Sequence, residues 1–251
     1  MLVSMPHIGT EIPLDLQSSY VPRALDVEDT DWHLASLYEF LPALGISVLQ
    51  PRYSRYVIDL NRPPDDAPMY PGAANTELCP TRFFTGEALY QTGQAPSPQE
   101  VLRRRANYWQ PYHNALALEL ARMKAAHGFA LLWDAHSIRS QIPWLFEGKL
   151  PDLNIGTASC AAAATAISDA AASPIKGFTH VVNGRFKGGY ITRHYGRPPS
   201  QVHAIQLEKC QSLYMQEVLP FAYDEGLAAR LQPTLKRMVQ ASLKAATDLY
   251  A

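Results

Sequence analysis

The run Phe129 to Ala135, FALLWDA, constrains this chain more than any other stretch. It is apolar on both faces almost to its end, and a strand of that kind belongs inside a sheet whose two faces are both covered. Helices must supply the cover. Leu34, Leu37, Tyr38, Leu41 and Leu44 recur at helical spacing after Asp29-Thr30, with Gly45 as a stop. Ser97-Pro98-Gln99-Glu100 is a capping box with proline at the first helical position, which predicts a helix towards Ala126, kinked or split at Pro111. Ala161 to Ala172 is an alanine-rich helix, and Leu213 to Val218 and Leu227 to Leu249 close the chain as helices, with Pro220 and Pro233 as interruptions.

Between these segments lie further strand patterns: Met1 to Met5, Ser47 to Leu49, Arg55 to Leu60, Phe178 to Val182, Gly189 to Thr192 and Val202 to Glu208. Strands alternating with helices predict an α/β fold with a mixed, mainly parallel sheet flanked by helices. Without an internal repeat or a linker, residues 1–251 read as a single domain. Pro63 to Pro98 is rich in Pro, Gly and Thr, a length of loop that compact domains keep mainly as the lid or wall of a site.

The bulk numbers exclude several functions. A formal charge of −1 and a pI near 6.7 leave no global field to hold nucleic acid or an anionic membrane. No segment reaches ~18 uninterrupted apolar residues, and MLVSMPHIG has neither a basic leader nor a long apolar core. Cys79, Cys160 and Cys210 are odd in number and far apart, which argues against a disulfide framework or a thiolate zinc site and fits a reducing cytoplasm.

Polar clusters recur just beyond the predicted strands: PHIGTEIP, SRYVIDLNRPP, DAHSIRS and HAIQLEK. In open α/β sheets ligands bind outside the carboxyl ends of strands, so these clusters are expected to meet. His7 and His136 each follow an apolar strand, and neutral imidazole is a common metal ligand. One such histidine reads as ordinary hydrogen-bonded structure; two with carboxylates nearby make a candidate ligand pair as readily as a structural one. A hydrolytic zinc site wants a third protein ligand, for which Asp31, Glu11 and Asp134 compete. Asp134 shares a strand face with His136 and fits equally an orienting partner, Glu11 a solvated loop charge, and Asp31 a helix-dipole group.

Strand alternation also puts Gln206 and Glu208 on one face, where a carboxylate can take a proton from activated water or stand as an edge-strand charge. Arg55, Arg62 and Arg193 are candidate grips for a small acidic molecule, because a guanidinium binds carboxylate bidentately. His33, His113, His194 and His203 read as structural. G-x-S-x-G, G-x-G-x-x-G, Walker A, H-E-x-x-H and EF-hand patterns are all absent.

Taken in order, PHIGTEIP, DTDWHLASLYEF, SRYVIDLNRPP, LLWDAHSIRS, DLNIGT and NGRFKGGYITRHYGRP…HAIQLE closely resemble the N-formylglutamate amidohydrolase family, from Ser4 to beyond Tyr214. The resemblance implies a fold like that of the zinc carboxypeptidases. It also implies a metal-dependent amidohydrolase that releases formate and L-glutamate from N-formyl-L-glutamate, the last step of one route of histidine degradation. Thr10 stands where those peptidases carry a glutamate three residues after the first histidine, so the carboxylate ligand is placed at Asp31, inside the family-like DTDWH. His7, Asp31 and His136 would then hold one divalent ion, Zn2+ before Mn2+ or Co2+. Glu208 looks like the general base, and Asn61-Arg62 like the carboxylate-binding pair, with Arg193 and Arg55 as further substrate contacts. Rival readings are a related amidohydrolase or carboxypeptidase acting on another N-acylated acidic amino acid, and a non-catalytic protein that binds acidic metabolites.

Overall fold

Alternation along the two central strands sorts the molecule into layers. The computed structural model describes residues 1–68 and 76–251. Six strands, β1 (Leu2–Ser4), β2 (Ser47–Leu49), β3 (Ala130–Ile138), β4 (Leu153–Gly156), β5 (His180–Val182) and β6 (Val202–Cys210), form one sheet in the order β2-β1-β3-β6-β4-β5. All neighbours run parallel except β4, which is antiparallel to β6.

Leu131, Trp133 and Ala135 of β3 and Ile205 and Leu207 of β6 point to one side. There they pack in a fully buried core with α2 (Leu34–Leu37), α5 (Thr165–Ala172) and α7 (Glu225–Leu249). Ala130, Leu132 and Ala204 point to the other side, against α4 (Gln110–His127) and α6 (Tyr190–Tyr195). On that second side the apolar residues give way, towards the carboxyl ends, to Asp134 and His136 on β3 and Gln206 and Glu208 on β6, all buried. A smaller core, which includes Leu16 of α1 (Leu14–Gln17), Tyr20, Tyr56, Val57 and Phe83, supports the loops that fold over this end of the sheet.

Serine 97 caps α3 (Pro98–Arg104) as its capping box requires, its side chain accepting from the Glu100 amide. The split expected at Pro111 takes the form of a π-helical segment, Arg105–Trp109, between α3 and α4. A wider turn there relieves the clash of the proline ring with the carbonyl four residues back.

Several expectations are corrected. Arg55 to Leu60 is not a strand but a run of turns, closed by Val57 N–H donating to the Ser54 carbonyl, with the Ser54 hydroxyl accepting from Tyr56 N–H. Gly189 to Thr192 opens α6 instead of a strand, and Leu213 to Val218 holds only the end of a 3-10 turn, Gln211–Leu213. The helix expected from Asp29 to Leu44 is reduced to α2 and a 3-10 turn at Pro42–Leu44, because Pro42 cannot donate and Gly45 reverses the chain at φ 66°. Pro233, expected to interrupt the last helix, lies inside a continuous α7, with buried Leu231 and Leu235 holding the helix down on either side. Strand β4 was not anticipated. Of the long loop read as a lid or wall, residues 69–75 lie outside the described residues.

Candidate active site

His7 follows β1 in a segment that runs against residues 52–54. Glu11 N–H donates to the Arg52 carbonyl and Ser54 N–H to the Glu11 carbonyl. Close approach demands Gly9, where a Cβ would stand 2.1 Å from the Tyr53 carbonyl oxygen. Asp31 is tied to the same loop, its amide donating to the His7 carbonyl at 3.0 Å. His136 is delivered by the penultimate turn of the β3 pleat. Chain segments distant in sequence thus meet at one end of the sheet.

The two imidazoles face each other through Nδ1, at 3.2 Å. Asp31 Oδ2 lies 3.3 Å from His136 Nδ1 and 3.7 Å from His7 Nδ1. Each ring's other nitrogen faces a carboxylate: His7 Nε2 hydrogen-bonds to Asp59 Oδ1 at 2.8 Å, and His136 Nε2 lies 3.1 Å from Asp134 Oδ2. A metal taken up at the two Nδ1 atoms would leave the ring protons at Nε2, beside these carboxylates, with both Nδ1 lone pairs and the Asp31 oxygen directed at one point. Donors bound at about 2.0–2.1 Å to a tetrahedral zinc stand roughly 3.3–3.4 Å apart, so the three atoms suit a single ion. The buried His7, Asp31 and His136 group can therefore hold a metal.

Asp59 and Asp134 are themselves fixed. Asp59 Oδ2 accepts from Arg55 at 2.7 Å and its Oδ1 also accepts from the Asn61 amide, while Asp134 accepts from Ser4 and Thr192. Arg55 Nη1 reaches to 3.8 Å from Asp31 Oδ1, so its charge spans two carboxylates. Ser137 N–H donates to Asp31 Oδ2 at 3.1 Å.

Charge explains the titration of the group. Burial pushes the Asp31 carboxyl up, but His136 and His7 outweigh it and hold it below the usual carboxylate range. Asp59 is likewise held well below that range, burial being overcome by His7, Arg55 and Arg62. Burial disfavours a charged His136 ring, yet Asp134 and Asp31 raise it to about 10. The carboxylate surplus that raises an imidazolium also favours a cation.

Glu208 is the register partner of His136 across β3 and β6, and Asn154 of β4 flanks it on the other side. Burial pushes its carboxyl up to about 8, against the pull of His136. Its Oε1 has no hydrogen-bond partner among the described residues. An unsatisfied buried carboxylate oxygen is costly, and it borders a cavity of ≈ 390 Å³ also walled by His7, Asp31, Asn61 and His136.

A family model described as N-formylglutamate amidohydrolase matches residues 1–215. The chain belongs to the N-formylglutamate amidohydrolase family. It is 49% identical over its whole length to an N-formylglutamate deformylase of Pseudomonas aeruginosa, covering 95% of that protein. A second N-formylglutamate deformylase, from Pseudomonas putida, is also 49% identical over the whole chain, with 94% of the relative covered. The crystal structure of an N-formylglutamate amidohydrolase from Ralstonia eutropha superposes with a TM-score of 0.74 at 25% identity, over 98% of this chain and 92% of that one.

Within this family member the sequence candidates fall into two groups. His7, Asp31, Arg55, Asn61, Arg62, His136 and Glu208 all line the cavity. Asn61 Oδ1 accepts from Ile191 N–H and its Nδ2 lies 3.1 Å from His136 Nε2; Arg62 donates to the Thr76 carbonyl and hydroxyl. Arg193 stands apart: it is exposed on α6, is not among the residues lining the cavity, and donates from Nε to the Gly188 carbonyl at 2.7 Å. Glu11, one of the competing carboxylates, pairs at 2.7 Å with exposed Arg52. Asp59, Arg185 and Lys187 were not singled out from sequence, although Arg185 and Lys187 line the cavity. Asp59 lies inside SRYVIDLNRPP, where a strand reading gives it no partner. The two cations lay inside NGRFKGG, whose paired glycines were the available signal.

Proposed function

We propose that the protein is a metal-dependent amidohydrolase that converts N-formyl-L-glutamate and water to formate and L-glutamate, with His7, Asp31 and His136 as metal ligands and Glu208 as general base. The observation that carries this reading is the orphaned Oε1 of Glu208, buried beside three converging ligand atoms at a cavity wall. Its relatives' names supply the substrate.

We assign zinc as the ion, since two imidazoles and a carboxylate suit it. Held by these three residues, such an ion would polarise the formyl oxygen and lower the pKa of a water to about 7. Glu208 positions a water and accepts its proton as the oxygen attacks the formyl carbon. The tetrahedral carbon then expels the amine, the C–N bond breaks, and Glu208 returns the proton to the departing nitrogen. Arg55, which lines the cavity and is partly spent on Asp31 and Asp59, supplies positive charge to the oxygen where negative charge develops. Arg62, whose acceptors at Thr76 are neutral, takes the α-carboxylate next to the scissile amide.

The deciding assay is formate release from N-formyl-L-glutamate before and after chelation, followed by add-back of zinc, manganese or cobalt. Activity should vanish with the metal and return best with zinc. Turnover indifferent to thorough chelation would reject the metal role, and absence of formate from the fully loaded protein would reject the substrate.

A further inference from the structure

The substrate proposed above carries two carboxylates, and the cations around the cavity are unequally free to meet them. Arg55 is committed to Asp59 and Asp31 at 2.7 and 3.8 Å. Arg62, Arg185 and Lys187 also line the cavity, and among the described residues none of the three has a carboxylate within ion-pair distance. Among the described residues Arg62 donates to the neutral oxygens of Thr76 and Asn61. Arg185 donates to the Leu145 carbonyl and lies 5.1 Å over the Phe146 ring. One guanidinium fork grips one carboxylate, so Arg62 leaves the second unmet.

We propose that Arg185, with Lys187 beside it, binds the side-chain carboxylate and makes the site prefer acidic over neutral N-formyl amino acids. Depth assigns the pair. Arg62 follows Asn61, whose Nδ2 is 3.1 Å from His136, so it sits near the reacting amide. In the substrate the α-carboxylate is one bond from the carbon bearing that amide, and the other carboxylate is two methylenes further out. Arg185 and Lys187 are exposed at the rim, at the outer end of such a molecule.

Their loop is built rather than loose. A Cβ on Gly156 of β4 would stand 2.5 Å from Gly188 N and 2.6 Å from the Lys187 carbonyl carbon. Ala158 N–H donates to the Lys187 carbonyl at 2.6 Å, Gly189 N–H to Gln206 Oε1 at 2.7 Å, and Arg193 Nε to the Gly188 carbonyl at 2.7 Å. Backbone fixed to both β4 and β6 presents the two cations with little ordering left to do. Arg193 thereby serves as a strut under the loop.

The inference rests on the formylglutamate reading, and the test separates the two. Formate release is measured for wild type, Arg185→Gln and Arg185→Lys with N-formyl-L-glutamate and its neutral isostere N-formyl-L-glutamine. Arg185→Gln should lower kcat/KM for the diacid about tenfold, chiefly through KM, and leave the neutral substrate nearly unchanged, a loss expected for one rim-exposed charge-assisted contact. Arg185→Lys should recover part of the preference. An equal loss on both substrates, or an unaltered ratio, overturns the assignment while formate release by wild type upholds the reaction. A wild type inert towards both substrates overturns the reaction, and the anchor with it.

Discussion

In the proposed reaction Asp59 and Glu208 do different work around the candidate metal group, and single substitutions should pull that work apart. Glu208 touches no described partner through Oε1, so Glu208→Gln removes a proton acceptor without removing a ligand. Metal content should stay at wild-type level while kcat falls roughly 10²–10⁴-fold. Asp59 holds His7 Nε2 at 2.8 Å and Arg55 at 2.7 Å, so Asp59→Asn should instead weaken metal affinity about 10–100-fold, measured by competition with a chromophoric chelator. If Glu208→Gln loses its metal, or Asp59→Asn binds it normally, the division of labour is wrong. Residues on regular strands were legible before the fold was known, because a period of two puts Asp134 with His136 and Gln206 with Glu208 whatever the neighbours are. Asp59 was not, since its meaning depends on a turn that no periodicity announces. Arg193 was credited with substrate contact because it follows two glycines; the glycines instead let the chain pass close to Asn61, which a Cβ on Gly189 would approach to 2.3 Å.

The helix with an explicit cap formed where its local signal placed it, whereas elements defined by their partners had no signal of their own. The capping box set the start of α3, and Pro111 gave the π-helical segment before α4. By contrast β4, four residues long, exists because β6 offers it an antiparallel edge, and its sequence LNIG carries too short a pattern to declare itself. That short strand nonetheless positions the rim loop, through the bare backbone of Gly156. Gly156→Ala should drive its methyl group into Gly188 N and the Lys187 carbonyl carbon, backbone atoms that cannot swing aside. Overpacking of this kind costs about 1–3 kcal/mol. A thermal melt should show a midpoint lowered by roughly 2–4 °C per kcal/mol for a chain of this size, with KM for the diacid raised as the loop moves. An unchanged melt with unchanged KM would mean that β4 and the loop can separate freely.

For the whole molecule the continuous apolar run in β3 was the decisive clue, since it required cover on both faces and α7 and α4 provide it. What no strand pattern conveyed is how α4, α6 and the segment before the loop are locked together, and His113 does this. Its Nε2 donates to the Leu60 carbonyl at 2.9 Å, its Nδ1 lies 3.0 Å from the Tyr195 hydroxyl, and Trp109 stacks on its ring at 3.6 Å. Burial pushes the ring down to about 4, against the pull of the Leu60 carbonyl, so the folded protein keeps it neutral. In the unfolded chain it titrates near 6.5, and between the two values the unfolded state binds the extra proton. The sign follows: this contribution is fully present above about pH 6.5 and is lost as the pH falls towards 4, by about 3 kcal/mol in all and about 2 kcal/mol between pH 7 and 5. Urea unfolding across that range should show wild type losing stability on acidification. His113→Gln, less stable at pH 7 for want of the stacked ring, should lose about 2 kcal/mol less between pH 7 and 5 than wild type does. Parallel stability curves for the two proteins would show that the ring is already protonated in the folded state and that this junction is not what acid undoes.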